Sequence, residues 1–170
     1  MADHYLLFSE TTPPLTEAEF AWFTDQLAEV CVLDGRELAA SEILDGQQAT
    51  WRGLRFLRDF GRPDDEGADC DWAGFEYEPH DRDGQRSVSF YSEDHGELER
   101  LAHLMQMFLR TFRPAESWSL SYATTCSKPR IGEFGGGALF VTAERVKWHT
   151  LADFLGRESR AFARRRPSEG

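Results

Sequence analysis

One stretch constrains the fold more than any other. Leu98, Leu101, Met105, Phe108 and Phe112 step along the chain by 3, 4, 3 and 4, with Ala102 and Leu109 flanking them. Only a helical repeat of 3.6 gathers such positions on one stripe, so the spacing predicts a helix near 96–112. It starts around Asp94 and Glu97 and is stopped by Arg113-Pro114. A stripe of this kind needs a covering surface. The next segment supplies one: Trp118, Leu120 and Tyr122 alternate with Ser117, Ser119 and Ser121, the period of a strand with one buried face. A one-sided helix next to a one-sided strand points to a layered α+β design.

The remaining elements follow from the same two periods. Tyr5 to Ser9 reads as a strand ended by Thr11-Thr12-Pro13-Pro14. Thr16 and Glu19 form a capping box, with Leu15 and Phe20 at staple positions. A helix then carries Phe20, Phe23, Leu27 and Val30 to about Cys31. Leu38, Ile43 and Leu44 are too sparse to choose between helix and strand. Trp51, Leu54, Leu57 and Phe60 recur by threes between Arg52, Arg55 and Arg58, a short amphipathic helix ended by Gly61 and Pro63. Phe75 to Glu78 reads as a strand, Asp83-Gly84 as a tight turn, and Val88 and Phe90 as the returning strand of a hairpin. Ala138 to Ala143 is another strand, extended by Val146 and Trp148. Thr150 caps a final helix whose Leu151, Phe154, Leu155 and Phe162 are expected to face inward.

The order β-α-(α)-β-β-α-β-β-α implies an antiparallel or mixed sheet of four to five strands with helices on one face. A ferredoxin-like βαββαβ core with an insertion fits that order. Residues 1–163 form a single α+β domain, in which 33–72 is an insertion with an acidic loop, and 164–170 are a basic polar tail. Phe23, Leu27, Leu101, Met105, Phe108, Leu120 and Val141 are the expected core.

Charge and cysteine content narrow the function classes. Thirty acids against nineteen Lys and Arg leave a net charge of −11, which disfavours direct nucleic-acid binding. Five arginines against two glutamates over 157–170 are too few to reverse that, and they complement the dipole of the last helix. The three cysteines, Cys31, Cys70 and Cys126, lie far apart, so neither a zinc ribbon nor a disulfide framework is expected, and the chain suits a reducing compartment. No stretch reaches the ~20 apolar residues that cross a bilayer, and the N-terminus lacks a signal pattern. The expected location is the cytoplasm, with no cofactor and no metal.

The segment Thr124 to Gly137 combines hydroxyls, the thiol of Cys126, the cations Lys128 and Arg130, and the triple glycine Gly135-Gly136-Gly137. Read as a loop, it offers an anion nest of backbone N–H groups, with Lys128 and Arg130 holding a phosphate or carboxylate. The competing reading gives the glycines a purely conformational or packing role. Cys126 becomes a nucleophile only beside a histidine or a cation, and the histidines His4, His80, His95, His103 and His149 lie elsewhere in the sequence. The run from Trp118 through Ser127-Lys128-Pro129-Arg130, Phe134-Gly135-Gly136-Gly137 and Phe140-Val141-Thr142-Ala143 resembles a group of uncharacterised bacterial small α+β proteins from phage and plasmid contexts. The resemblance covers the C-terminal half. It implies no activity and no catalytic residue, and it lends support to a mobile-element role.

The other distinctive segment is acidic: residues 59–83 hold ten acids and two arginines. Asp64, Asp65, Glu66, Asp69 and Asp71 lack the spacing of a calcium loop. Glu76 and Glu78 share one strand face by the period of two, and the hairpin turn is expected to keep Asp81 and Asp83 near them. Three functions follow. The first is recognition of a basic protein surface through Glu76, Glu78, Asp81, Asp83, Asp64 and Asp65, as a mimic of nucleic-acid phosphates. The alternative is a binder of, or enzyme on, an anionic ligand at 124–137. The third is self-association through Trp22, Trp51, Trp72 or Trp148.

Overall fold

The computed structural model describes residues 3–59, 73–128 and 134–165. Strand β1 (His4–Thr11) leads through the capped helix α1 (Glu17–Gln26) into three short strands, β2 (Glu29–Leu33), β3 (Arg36–Ala39) and β4 (Thr50–Leu54). The hairpin β5 (Glu76–Arg82) and β6 (Gln85–Ser92), helix α2 (Leu98–Phe112), strands β7 (Ser117–Cys126), β8 (Gly135–Thr142) and β9 (Val146–Thr150), and helix α3 (Leu151–Arg165) complete the order. A six-stranded sheet runs β5-β6-β1-β7-β8-β9, and a three-stranded sheet runs β3-β2-β4. Every pairing is antiparallel. The α+β class holds, with six strands in the main sheet rather than four or five.

Helices α1 and α2 cover one face of the main sheet. The Phe23 ring of α1 lies 4.8 Å from Phe108 of α2 and 6.0 Å from Phe90 of β6. All seven expected core residues are buried in one cluster. The N-terminal box of α1 has both its hydrogen bonds, Glu19 N–H to Thr16 Oγ1 at 3.3 Å and Thr16 N–H to Glu19 Oε2 at 2.7 Å. The same carboxylate receives Arg113 Nε at 2.6 Å and Nη2 at 2.8 Å. Arg113 also donates to the Pro14 carbonyl at 2.8 Å and lies over the Phe108 ring. The start of α1 is thereby clamped to the end of α2 by a nearly buried, bidentate ion pair.

Helix α1 ends four residues earlier than the apolar stripe implied. Val30 and Cys31 belong to β2, because Val30-Cys31-Val32-Leu33 runs into Asp34-Gly35, whose φ values of 51° and 76° make a two-residue hairpin turn. Asp83-Gly84, with φ values of 53° and 80°, does the same between β5 and β6. The helix expected over 51–60 is strand β4 followed by a 3₁₀ turn at Arg55–Asp59. The turn places Phe56 and Leu57 in the main core, so the small sheet is fastened to the domain rather than independent. Tyr77 Oη donates to the Leu27 carbonyl at 2.9 Å, a second fastening.

The other face of the main sheet is open. Ser9, Thr11, Ser119, Ser121, Ala138, Phe140, Lys147 and His149 point outward by the strand register, and none of them is buried. One-sided antiparallel sheets tolerate this where outward positions are mostly polar or small, and Phe140, 43% exposed, is the large apolar residue among those named. Helix α3 contradicts its expected packing: Leu151, Phe154 and Leu155 are 48%, 42% and 54% exposed. No helix among the described residues is long and apolar enough to cross a membrane.

Candidate functional site

The acidic hairpin is only partly as expected. Glu76 lies across the ladder from Tyr91, and Glu78 lies across from Ser89, so both carboxylates occupy the open face of edge strand β5. Tyr91 sits among them. Its interaction with Glu76 is the main reason its phenol is held above the usual tyrosine range, followed by slight desolvation and the fields of Glu76, Glu78 and Glu93. Three acids and one aromatic ring thus converge at one corner of the open face.

Asp81 does not belong to this corner. The strand period turns it to the opposite face, where Arg86 Nε donates to its Oδ2 at 3.0 Å. Asp83 is spent on the turn. Beyond Glu78, His80 and the cation Arg82 follow on the open face at the same period, with His80 Nδ1 3.9 Å from Glu78 Oε1. His80 Nε2 is 2.9 Å from Ser89 Oγ. Asp64 and Asp65, with Glu66, Asp69, Asp71 and Cys70, lie outside the described residues. Glu93, absent from the expected set, follows β6 two residues after Tyr91 and so shares its face, and the β5–β6 register brings both to Glu76 and Glu78.

The glycines of the second candidate are strand residues, not loop residues. Gly135, Gly136 and Gly137 begin β8 and pair with Thr124, Ala123 and Tyr122. A Cβ on Gly135 would approach Thr124 Oγ1 to 2.9 Å, and one on Gly137 would meet the His149 carbonyl and Tyr122 Oη. Gly136 has φ +154° and no room beside the Tyr122 carbonyl. Packing therefore explains all three, and the expected nest is a β ladder. Lys128 is exposed in the hairpin loop, and Arg130 lies outside the described residues. Cys126 is buried and free. The ladder places His4 directly across from it, a neighbour that sequence distance hid. No hydrogen bond joins the two.

On the helix side of the sheet, at the end that α2 does not reach, lies a cavity of about 850 Å³ with Gly135 in its floor. Its floor is His4, Leu6, Tyr122, Thr124 and Gly135. One wall is the turn Asp94 to Glu97, and the other is Thr150, Leu151, Ala152 and Leu155 at the start of α3. Gly96 lets the first wall rest on Leu6 and Phe8, where a Cβ would come within 2.6 Å and 2.7 Å of their side chains. Thr150 caps α3 as expected, accepting the Asp153 N–H at 3.0 Å. Desolvation, with a smaller contribution from Asp153, raises the Tyr122 phenol above its usual range, so it stays a hydrogen-bond donor at neutral pH. Among the described residues no group of three His, Cys, Asp or Glu side chains is placed to hold a metal.

Comparison with known protein families, curated proteins and solved structures finds no match. The chemistry of these two regions is therefore the basis for a functional reading.

Proposed function

We propose that the chain is a non-catalytic recognition protein that binds a basic protein surface through the open face of its main sheet. The observation that carries this reading is the corner at which the β5–β6 ladder sets Glu76 and Glu78 on one face with Tyr91, and Glu93 follows two residues on. Carboxylates placed this closely repel one another, and a cationic partner relieves that repulsion. A central tyrosine supplies apolar contact area with little loss of side-chain entropy. The net charge of −11 adds long-range steering toward such a partner. The contact set differs from the sequence expectation: Glu93 joins it, and Asp81, already paired with Arg86, leaves it. An anion on Lys128 and Arg130 is not part of the proposal, because the glycines that were to cradle it are occupied in the ladder.

The connection β1-α1-β5-β6-α2-β7 and the neighbour order β5-β6-β1-β7 are compatible with a ferredoxin-like core, extended by β8 and β9 at one edge. A cytoplasmic location and a mobile-element origin belong to the same proposal, the second resting on the sequence resemblance. The test is salt-dependent capture from host-cell lysate with the wild type and the double variant Glu76→Lys/Glu78→Lys. The wild type should retain a basic protein at low salt and release it as salt screens the charges. The variant should associate more slowly, with a flatter salt dependence. Full-strength, salt-insensitive binding by the variant would sink the reading.

A further inference from the structure

We propose that the cavity between the turn that precedes α2 and the first turn of α3 is a separate binding site, for an ammonium or guanidinium group carried on an apolar or aromatic stem. The site lies on the opposite face of the sheet from the Tyr91 corner and uses none of its carboxylates. It therefore goes beyond the recognition reading.

Size is the first argument. About 850 Å³ lies within the ~300–1,000 Å³ typical of small-ligand sites. The second is unspent apolar surface on the walls. Leu151, Leu155 and Phe134 are 48%, 54% and 56% exposed although they line a concavity, and an apolar stem would cover them. The third is an unspent charge. Glu97 holds the N-cap position of α2, yet its side chain makes no capping hydrogen bond. Among the described residues it has no ion pair either. Its stem is held in place by Gly74, where any Cβ would collide with it, and its N–H donates to the Gly74 carbonyl at 2.7 Å. Asp94 stands beside it with only His95 Nδ1 at 3.4 Å. Aromatic residues complete the set, since Tyr122 and Phe134 both line the cavity and aromatic rings attract cations. The carboxylates choose the sign of the head group, and the apolar walls choose the stem. A free amine and a Lys or Arg side chain of a protein share this chemistry.

The test titrates the full-length ¹⁵N-labelled protein with phenethylamine, with phenylacetate, and with the blocked dipeptide N-acetyl-phenylalanyl-arginine amide. The amine or the dipeptide should give saturable shifts at the amides of Thr124, Gly135 and Leu155. The isosteric double variant Asp94→Asn/Glu97→Gln should weaken binding at least tenfold while the rest of its spectrum stays native. Glu76→Lys/Glu78→Lys should leave the titration unchanged, which separates this site from the outer face. Tighter binding of the dipeptide assigns the cavity to a protein side chain, and tighter binding of phenethylamine assigns it to a free amine. The proposal is overturned if phenylacetate binds as well as the amine, or if the double variant binds like wild type. It is also overturned if neither cation saturates those amides by roughly 10 mM, a generous limit for a weak site.

Discussion

Helices α2 and α3 are each fifteen residues long, and each gathers its apolar residues on one side, yet they are covered very differently. In α2, Leu98, Leu101, Leu104, Met105, Phe108 and Leu109 are all buried. They face Phe23, Phe90, Leu120, Leu139 and Val141, and Arg113 just past the helix end is locked to Glu19. In α3, Leu151, Phe154 and Leu155 remain about half exposed. The first turn of α3 borders the cavity, where β8 presents Gly135, which has no side chain to meet a helix. Periodicity reveals that a helix has an apolar face, and only the facing surface decides whether the helix itself closes over it or something else does.

Paired truncations would break this comparison most sharply. Phe108→Ala should cost about 3–5 kcal/mol, as for a large aromatic removed from a close-packed core. Leu155→Ala should change stability by no more than about 0.5 kcal/mol. Denaturant unfolding of the two variants decides it, and equal losses would mean that α3 is packed as tightly as α2.

The clamp on α2 makes an acid-pH prediction with a definite sign. Arg113 is the main cause, with the Thr16 hydrogen bonds, that lowers Glu19 from 4.5 to about 2. A depressed carboxylate stabilises the fold fully above its unfolded value and loses that contribution as pH falls through its folded value. The window is therefore pH 4.5 down to about 2, and the contribution is about 3 kcal/mol. Thermal unfolding across that window should show wild type losing its advantage over Glu19→Gln. A constant gap between the two would remove Glu19 from the account.

Gly137→Ala probes the floor beneath α3. The new methyl meets the His149 carbonyl and Tyr122 Oη, so β9 must shift, at a cost of about 1–3 kcal/mol. A neutral result would show that the glycine is not held by packing. Among the buried positions the smallest effect belongs to Trp118→Phe. The indole N–H is buried with no hydrogen-bond partner, so its removal should offset part of the lost contact area and leave stability within about 1 kcal/mol. A much larger loss would reveal a partner for that N–H.

The sequence disclosed local features and missed those made by distant chain segments meeting. The Thr16–Glu19 box was legible because its partners lie three residues apart. Its third member, Arg113, is 94 residues away from Glu19 and left no local signal. Asp83-Gly84 stands out between two alternating strands, while the identical Asp34-Gly35 turn is masked because Val30 continues the helical stripe of Phe23 and Leu27. Trp51 and Leu54 recur by threes, a spacing that also suits a strand entering a 3₁₀ turn. The glycines of 135–137 were visible, but their cause was not, since Tyr122 and His149 become their neighbours only through the β7–β8–β9 register. The acidic corner was half legible: the period of two puts Glu76 and Glu78 together, but the expected nearness of Asp81 overlooks that the same period turns it to the other face, and only the β5–β6 register joins Tyr91 and Glu93 to the two glutamates.

The central claim is that a basic partner meets the molecule at this corner. Zero-length carbodiimide cross-linking tests it directly, because it joins carboxylates to lysines only where they touch. Applied to the complex captured at low salt and read by mass spectrometry, it should place the links at Glu76, Glu78 and Glu93. Links concentrated instead at carboxylates away from the corner, such as Glu37, Glu116 or Glu144, would contradict the account.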